Sequence, residues 1–209
     1  MSRKQTPSMT VGPWFSYGLT PEEYGRTGLA TGTMASAGVP GARIRLAGRV
    51  LDGAGQPMPD AMLEVWQANA QGHFAHPADI SASLAATPGL GGFTGFGRVS
   101  TDAQGRYAFE TIKPGRVPAS GSQRRNVTQA PHLSLTVFAR GLLSHLYGRV
   151  YFSDEAAANA EDLVLALVPE ARRATLIAQR LAGSGATGSD TYTLDIHLQG
   201  EHETVFFEA

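Results

Sequence analysis

Cysteine is absent from the 209 residues, which removes disulfides, thiolate metal sites and thiol nucleophiles together and gives no sign of an oxidising compartment. A surplus of charge is missing too. The 17 Lys and Arg residues nearly balance 18 Asp and Glu residues, and the formal charge of -1 provides no electrostatic footprint for nucleic acid or anionic lipid. No uninterrupted apolar run approaches the roughly 20 residues of a membrane span, and Met1 to Ser8 lacks the apolar stretch of a secretory signal. Neither a Gly-x-Ser-x-Gly elbow nor a P-loop occurs. The chain therefore reads as soluble and cytoplasmic, with a protein and a small molecule as its partners rather than nucleic acid or membrane.

Apolar material is plentiful: 42% of the residues are hydrophobic, enough for a sizeable core. All-β folds often reach about 200–250 residues as one domain, so a single domain with long loops is expected. Residues 1–40 keep no sustained period. Thr10 to Tyr17 is apolar and aromatic, whereas Gly25 to Pro40 has the Gly, Thr, Ala and Ser content of a loop, so this part reads as an arm with one adhesive segment.

From Arg43 the two-residue period of strands begins. Ile44 and Leu46 alternate with arginines up to the turn Asp52-Gly53-Ala54-Gly55, and Leu63 and Val65 share a face within Met62 to Gln67. Phe96 to Thr101 and Arg106 to Thr111 form a hairpin around Asp102-Ala103-Gln104-Gly105. Leu133, Leu135 and Val137 mark one face of His132 to Ala139. Leu146 to Phe152 is another apolar and aromatic strand, and Tyr192, Leu194, Ile196 and Leu198 repeat the alternation. Two stretches break this rhythm and predict helices: Asp154 to Leu167, entered through Ser153 as N-cap, and Pro169 to Leu181, with Pro169 at a first helical position. An antiparallel β-sandwich over residues 41–209, with a helical insertion at about 154–181, is the expected architecture.

Several polar groupings have a chemical look and a plainer explanation. His73, His76 and Asp79 are spaced like ligands but lie in a Pro- and Ala-rich loop, where exposure explains polar residues. Asp195 and His197 read as the polar side of a half-buried strand, and Tyr147 and Tyr151 as packing residues of one strand face. Glu201-His202-Glu203 reads as a solvated turn, since no helix frames it as a zinc motif.

One long segment carries more. Leu46-Ala-Gly-Arg-Val50 through the glycine turn to Leu63-Glu64-Val65-Trp66-Gln67-Ala68-Asn69-Ala-Gln-Gly72-His-Phe74 resembles the signature of the intradiol ring-cleavage dioxygenases. The similarity continues through Gly105 to Gly115, Ala130-Pro-His132-Leu-Ser134, Phe138-Ala-Arg140-Gly141, Arg149-Val-Tyr-Phe152 and the closing Gln199 to Phe207. The resemblance implies a β-rich fold with a transthyretin-like core. It also implies opening of a dihydroxybenzoate ring by molecular oxygen at a ferric ion held by two tyrosines and two histidines. Phenolates are hard anionic donors that suit Fe(III), and imidazoles complete such a set.

Measured against that pattern, this chain lacks donors. Phe74 and Val117 stand at the two tyrosine positions, and the His-x-His pair is His132-Leu133-Ser134, so His132 alone remains. A single imidazole does not hold a ferric ion. The resemblance thus implies an alpha-type subunit without metal, whose Fe(III) is held by a homologous beta subunit in a hetero-oligomer, with His132 retained as a structural residue. It further implies that Thr10, Gly12, Pro13 and Trp14 lie against the partner's active site. An arm packed on its own sandwich is the alternative. Arg140 resembles a position near the substrate entrance, where a guanidinium attracts an aromatic carboxylate; a structural ion pair is the other reading. Two rival functions stand beside this one. One is a self-sufficient dioxygenase that uses Tyr147 or Tyr151 with His132, and the other is a transthyretin-like binding module.

Overall fold

The computed structural model describes residues 15–76, 92–118, 127–181 and 189–208. Strands form where alternation placed them: β1 (Arg43–Leu51), β2 (Met62–Gln67), β3 (Phe96–Ser100), β4 (Arg106–Ile112), β7 (His132–Phe138) and β8 (Leu146–Phe152). Short pieces complete the set: β5 (Val117–Pro118), β6 (Thr128–Gln129), β9 (Ile177–Leu181), β10 (Asp190–Thr193) and β11 (Ile196–His197). In β7, Leu133, Leu135 and Val137 are buried while Ser134, Thr136 and Phe138 are half-buried, so the two-residue period sorts the strand's faces as expected.

Apart from the small β5–β6 ladder, all strands belong to one sheet in the order β11-β1-β10-β9-β8-β7-β2-β3, and β4 takes the other edge of β1. The sheet curls on itself. Ile44, Leu46, Val50 and Phe109 from one side meet Leu63, Val65, Leu133, Leu135 and Val150 from the other in a single core. That apolar burial is the dominant favourable contribution to folding.

The expectation of an antiparallel sandwich needs correction. The sheet is mixed and nearly closed, with parallel pairs β1–β10, β1–β11 and β8–β9. The physical cause lies in the segment expected to be a second helix. Only Glu170–Leu176 turns, as a 3-10 helix, and Pro169 sits at its N-cap. Ile177–Leu181 is strand β9, which pairs with β8 through Ile177 and Ala178 and with β10 through Gln179 to Leu181. A parallel neighbour requires a crossover connection, and the helical insertion supplies it between β8 and β9.

The first predicted helix is also shorter. It comprises α2 (Ala156–Glu161), following α1 (Phe15–Leu19) near the start of the described chain, and a 3-10 turn at Leu165–Leu167. Glu155 takes the N-cap position of α2 without a side-chain bond, while Ser153 Oγ accepts the Arg180 backbone N–H at 3.0 Å.

The strand expected through Tyr192 to Leu198 divides in two. Asp195 interrupts it, because its Oδ1 accepts the Arg49 backbone N–H at 2.9 Å and its Oδ2 the Arg49 guanidinium at 2.8 Å. Part of the expected arm packs on the chain itself: Met34 is fully buried in the main core, and Arg43 donates to the carbonyls of Ala35 and Ser36. Among the described residues no helix is long and apolar enough to cross a membrane.

Candidate functional site

The signature segment works first as a structural clasp. At the end of β2 the buried Gln67 donates to the carbonyls of Ala68 and Ile112, at 3.0 and 2.9 Å, and accepts from Thr111 at 2.9 Å. Asn69 Oδ1 then accepts the backbone N–H groups of Gln71 and His73, and its carbonyl accepts those of Gly72 and Gly115. Two distant loops are thereby closed on one residue. Gly72 has φ +84°, and a Cβ there would lie 2.0 Å from the Arg116 carbonyl oxygen, so no side chain fits. The clasp brings Phe74 and Val117, each two residues beyond a clasped glycine, to the same end of the sheet.

The four positions implied by the resemblance converge there. Register places Phe96, Trp66, Ser134 and Arg149 in one row across β3, β2, β7 and β8, on the face away from the main core. Phe74 lies parallel to Trp66, with centroids 6.1 Å apart and an interplanar angle of 2°. Val117 is buried and pairs with Gln129, whose Oε1 accepts from Arg149 at 2.6 Å. His132 pairs across the ladder with Tyr151, their rings 5.9 Å apart. The side chains brought together are a phenyl, an isopropyl, a hydroxymethyl and one imidazole. This donor set does not fit a ferric ion, which needs several hard anionic ligands. Among the described residues no group of three or more His, Asp or Glu is placed to hold a metal.

His132 is buried, and its Nδ1 lies 2.7 Å from the Ala130 carbonyl, which can only accept, so Nδ1 carries the proton. Burial, followed by the nearby Arg149 charge, lowers its pKa to about 4. The unfolded imidazole takes a proton near pH 6.5, which the folded site refuses until about pH 4, so stability is full above that window and is lost as pH falls through it. Unfolding free energy is expected to drop by about 2 kcal/mol between about pH 7 and pH 5. His132→Gln should flatten that slope in urea titrations. An unchanged slope would assign the dependence to other groups.

Beneath His132 lies a network that sequence reading missed. Asp162 is fully buried. Its Oδ1 accepts from the Tyr151 hydroxyl at 3.0 Å and from the backbone N–H groups of Val164 and Leu165, while Oδ2 accepts the Ala130 N–H at 2.8 Å. The group closes α2, whose C-cap it occupies, and fastens the helical insertion to the strand that carries His132. Burial first and the neighbouring Asp162 second push the Tyr151 phenol up, away from the phenolate a metal would require. Tyr147 is 39% exposed on the same strand and meets His145 edge-on and the bridge partner Phe207. Tyr151 is thus held as a hydrogen-bonded phenol beside His132, and Tyr147 lies four residues away along β8, opposite Thr136. The Asp162 bonds to Val164 and Leu165 are local, of the kind an Asp makes at the start of a turn, but no spacing rule points to the Tyr151 hydroxyl and the Ala130 N–H as its other partners.

Other expected positions fall apart from this cluster. Arg140 pairs with Asp60 through Nε, and Asp60 Oδ1 is buried without a further hydrogen bond. Thr10, Gly12, Pro13 and Trp14 lie outside the described residues, as does Asp79. His73 Nδ1 is buried with no partner among the described residues, and His197 meets His202 edge-on at 5.9 Å. The Glu203 carbonyl accepts the Arg172 guanidinium, as suits a turn.

A dioxygenase family model matches residues 11–200. The chain is 48% identical, over 209 residues and 98% of each chain, to the protocatechuate 3,4-dioxygenase alpha chain of Burkholderia cepacia. It is 36% identical over 165 residues to the protocatechuate 3,4-dioxygenase beta chain of the same species, covering 78% of this chain and 67% of that one. Among solved structures, an intradiol ring-cleavage dioxygenase from Tetranychus urticae superposes with a TM-score of 0.59 over 97% of this chain and 98% of that chain. At 16% identity, that likeness concerns the fold.

Proposed function

Because the chain belongs to the intradiol ring-cleavage dioxygenase family, we propose that it serves as the alpha subunit of a protocatechuate 3,4-dioxygenase and carries no iron of its own. The assembly opens the ring of 3,4-dihydroxybenzoate with O2 to give 3-carboxy-cis,cis-muconate, and the Fe(III) belongs to a homologous beta subunit. One observation carries the assignment of roles: Phe74, Val117 and Ser134 stand with His132 where four donors would be needed, in a chain that keeps the rest of the signature. The 36% identity to a beta chain supports a pair descended from one ancestor.

What this chain contributes is shape and charge at the partner's pocket. Thr10, Gly12, Pro13 and Trp14, in the arm of residues 1–40, form part of the wall. Gly12 allows close backbone approach, Pro13 stiffens the segment, and Trp14 offers a large anchor with one hydrogen-bond donor. Arg140 faces the substrate carboxylate. The assembly is a cytoplasmic hetero-oligomer, and residues 41–209 form its β domain on this side.

Metal analysis after co-expression tests the division of labour. The purified complex is expected to hold one iron per alpha-beta pair and to be red-brown from tyrosinate coordination, while this chain purified alone is colourless and holds less than about a tenth of an equivalent. Stoichiometric iron in the lone chain, or a failure of the two chains to copurify, would refute the proposal.

A further inference from the structure

Among the described residues, Arg149 places a cation on the outer face of the sheet beside positions where the resemblance leads one to expect ligands. Arg149 lies directly across the ladder from Ser134, and such pairs hold their Cβ atoms about 4.5–5.5 Å apart. Its guanidinium donates to Gln129, the β-partner of Val117, at 2.6 Å. Arg149 shares its strand face with Tyr151, two residues on, whose ring adjoins His132. Trp66, on the far side of Ser134, is covered by Phe74. Arg149 therefore lies opposite Ser134, acts electrostatically on His132 and bonds the ladder partner of Val117, and it is half-buried rather than fully exposed.

We propose that the Arg149 guanidinium stands in for the metal: it is a fixed internal cation that fills the centre of this chain's degenerate site and closes that site to metal ions. Loss of donors alone would leave His132 as a single imidazole facing the former site. A guanidinium stays charged at every accessible pH and repels any metal ion from the same space. It also pairs the side-chain amide oxygen of Gln129, which accepts from it. The chain would then be closed to metal by construction and not merely by deletion.

This inference rests on reading Phe74, Val117, His132 and Ser134 as former ligand positions, and the experiment separates the two. The four-donor chain Phe74→Tyr/Val117→Tyr/Ser134→His is prepared full-length, with and without Arg149→Gln, and loaded with Fe(III). Bound iron and the visible tyrosinate band are then measured. Iron uptake is expected to be at least tenfold greater with Arg149→Gln.

A milder pair, Ser134→His with and without Arg149→Gln, is titrated with Co(II) by visible absorption, since residues 132 and 134 share a face whatever the family pattern. Co(II) affinity is expected to rise at least tenfold on loss of the guanidinium. Equal iron uptake by both four-donor chains overturns the role of Arg149 and leaves the ligand positions standing. No iron in either, with Co(II) affinity still dependent on Arg149, supports the internal cation and rejects the positions. No iron and no Arg149 dependence of Co(II) overturns both.

Discussion

Asp162→Ala is expected to lower unfolding free energy by about 3–5 kcal/mol. The cost comes from stranded donors. The carboxyl group accepts from the Tyr151 hydroxyl and from the N–H groups of Ala130, Val164 and Leu165, and it is fully buried. Removing it leaves the Ala130 and Leu165 N–H groups buried and unpaired, each costing roughly 1–3 kcal/mol, and opens a cavity between them. Tyr151→Phe removes one donor and leaves the carboxyl group its other three, so its cost should be only about 1 kcal/mol. Urea unfolding of both variants decides the matter. A loss below about 1 kcal/mol for Asp162→Ala would mean that solvent replaces the network, and that the helical insertion is held by its apolar contacts alone.

That network marks the boundary of what the sequence discloses. Strands were legible because each buries one face, and Leu133, Leu135 and Val137 record that burial in their spacing. The segment Ile177–Leu181 was not legible as a strand. Alanine, glutamine, arginine and leucine are good helix formers, and only pairing with Phe152 on one side and Thr191 to Thr193 on the other makes the segment extended.

The absence of donors at Phe74, Val117 and Ser134 was equally legible, since a missing phenol or imidazole is a property of the residue itself. What replaced them was hidden. An arginine in an alternating strand reads as solvent-facing, and nothing in Arg149-Val150-Tyr151 announces that the guanidinium turns inward to Gln129. Half of the Asp162 network is concealed for the same reason, because Tyr151 and Ala130 are brought to it by tertiary contacts and not by spacing.

Arg140→Ala is expected to raise KM for 3,4-dihydroxybenzoate by about ten- to a hundredfold in the reconstituted heteromer, while KM for plain catechol changes by less than about threefold. Position supports that asymmetry. Arg140 follows the end of β7, and the strand separates it from His132 by about 20 Å, so its guanidinium does not serve this chain's own degenerate site. Its side chain is 61% exposed and its ion pair with Asp60 is a surface pair, a type that contributes only about 0–1 kcal/mol of stability. Stability is therefore a weak reason for an arginine here, whereas an exposed cation tethered by Asp60 is well placed to meet an anionic ring substituent across an interface. Asp60→Asn should weaken the tether and raise KM for the carboxylated substrate less than Arg140→Ala does. Equal KM changes for the two substrates, or a loss of assembly with unaltered kinetics in what remains, would identify Arg140 as a structural ion-pair partner and remove it from substrate recognition.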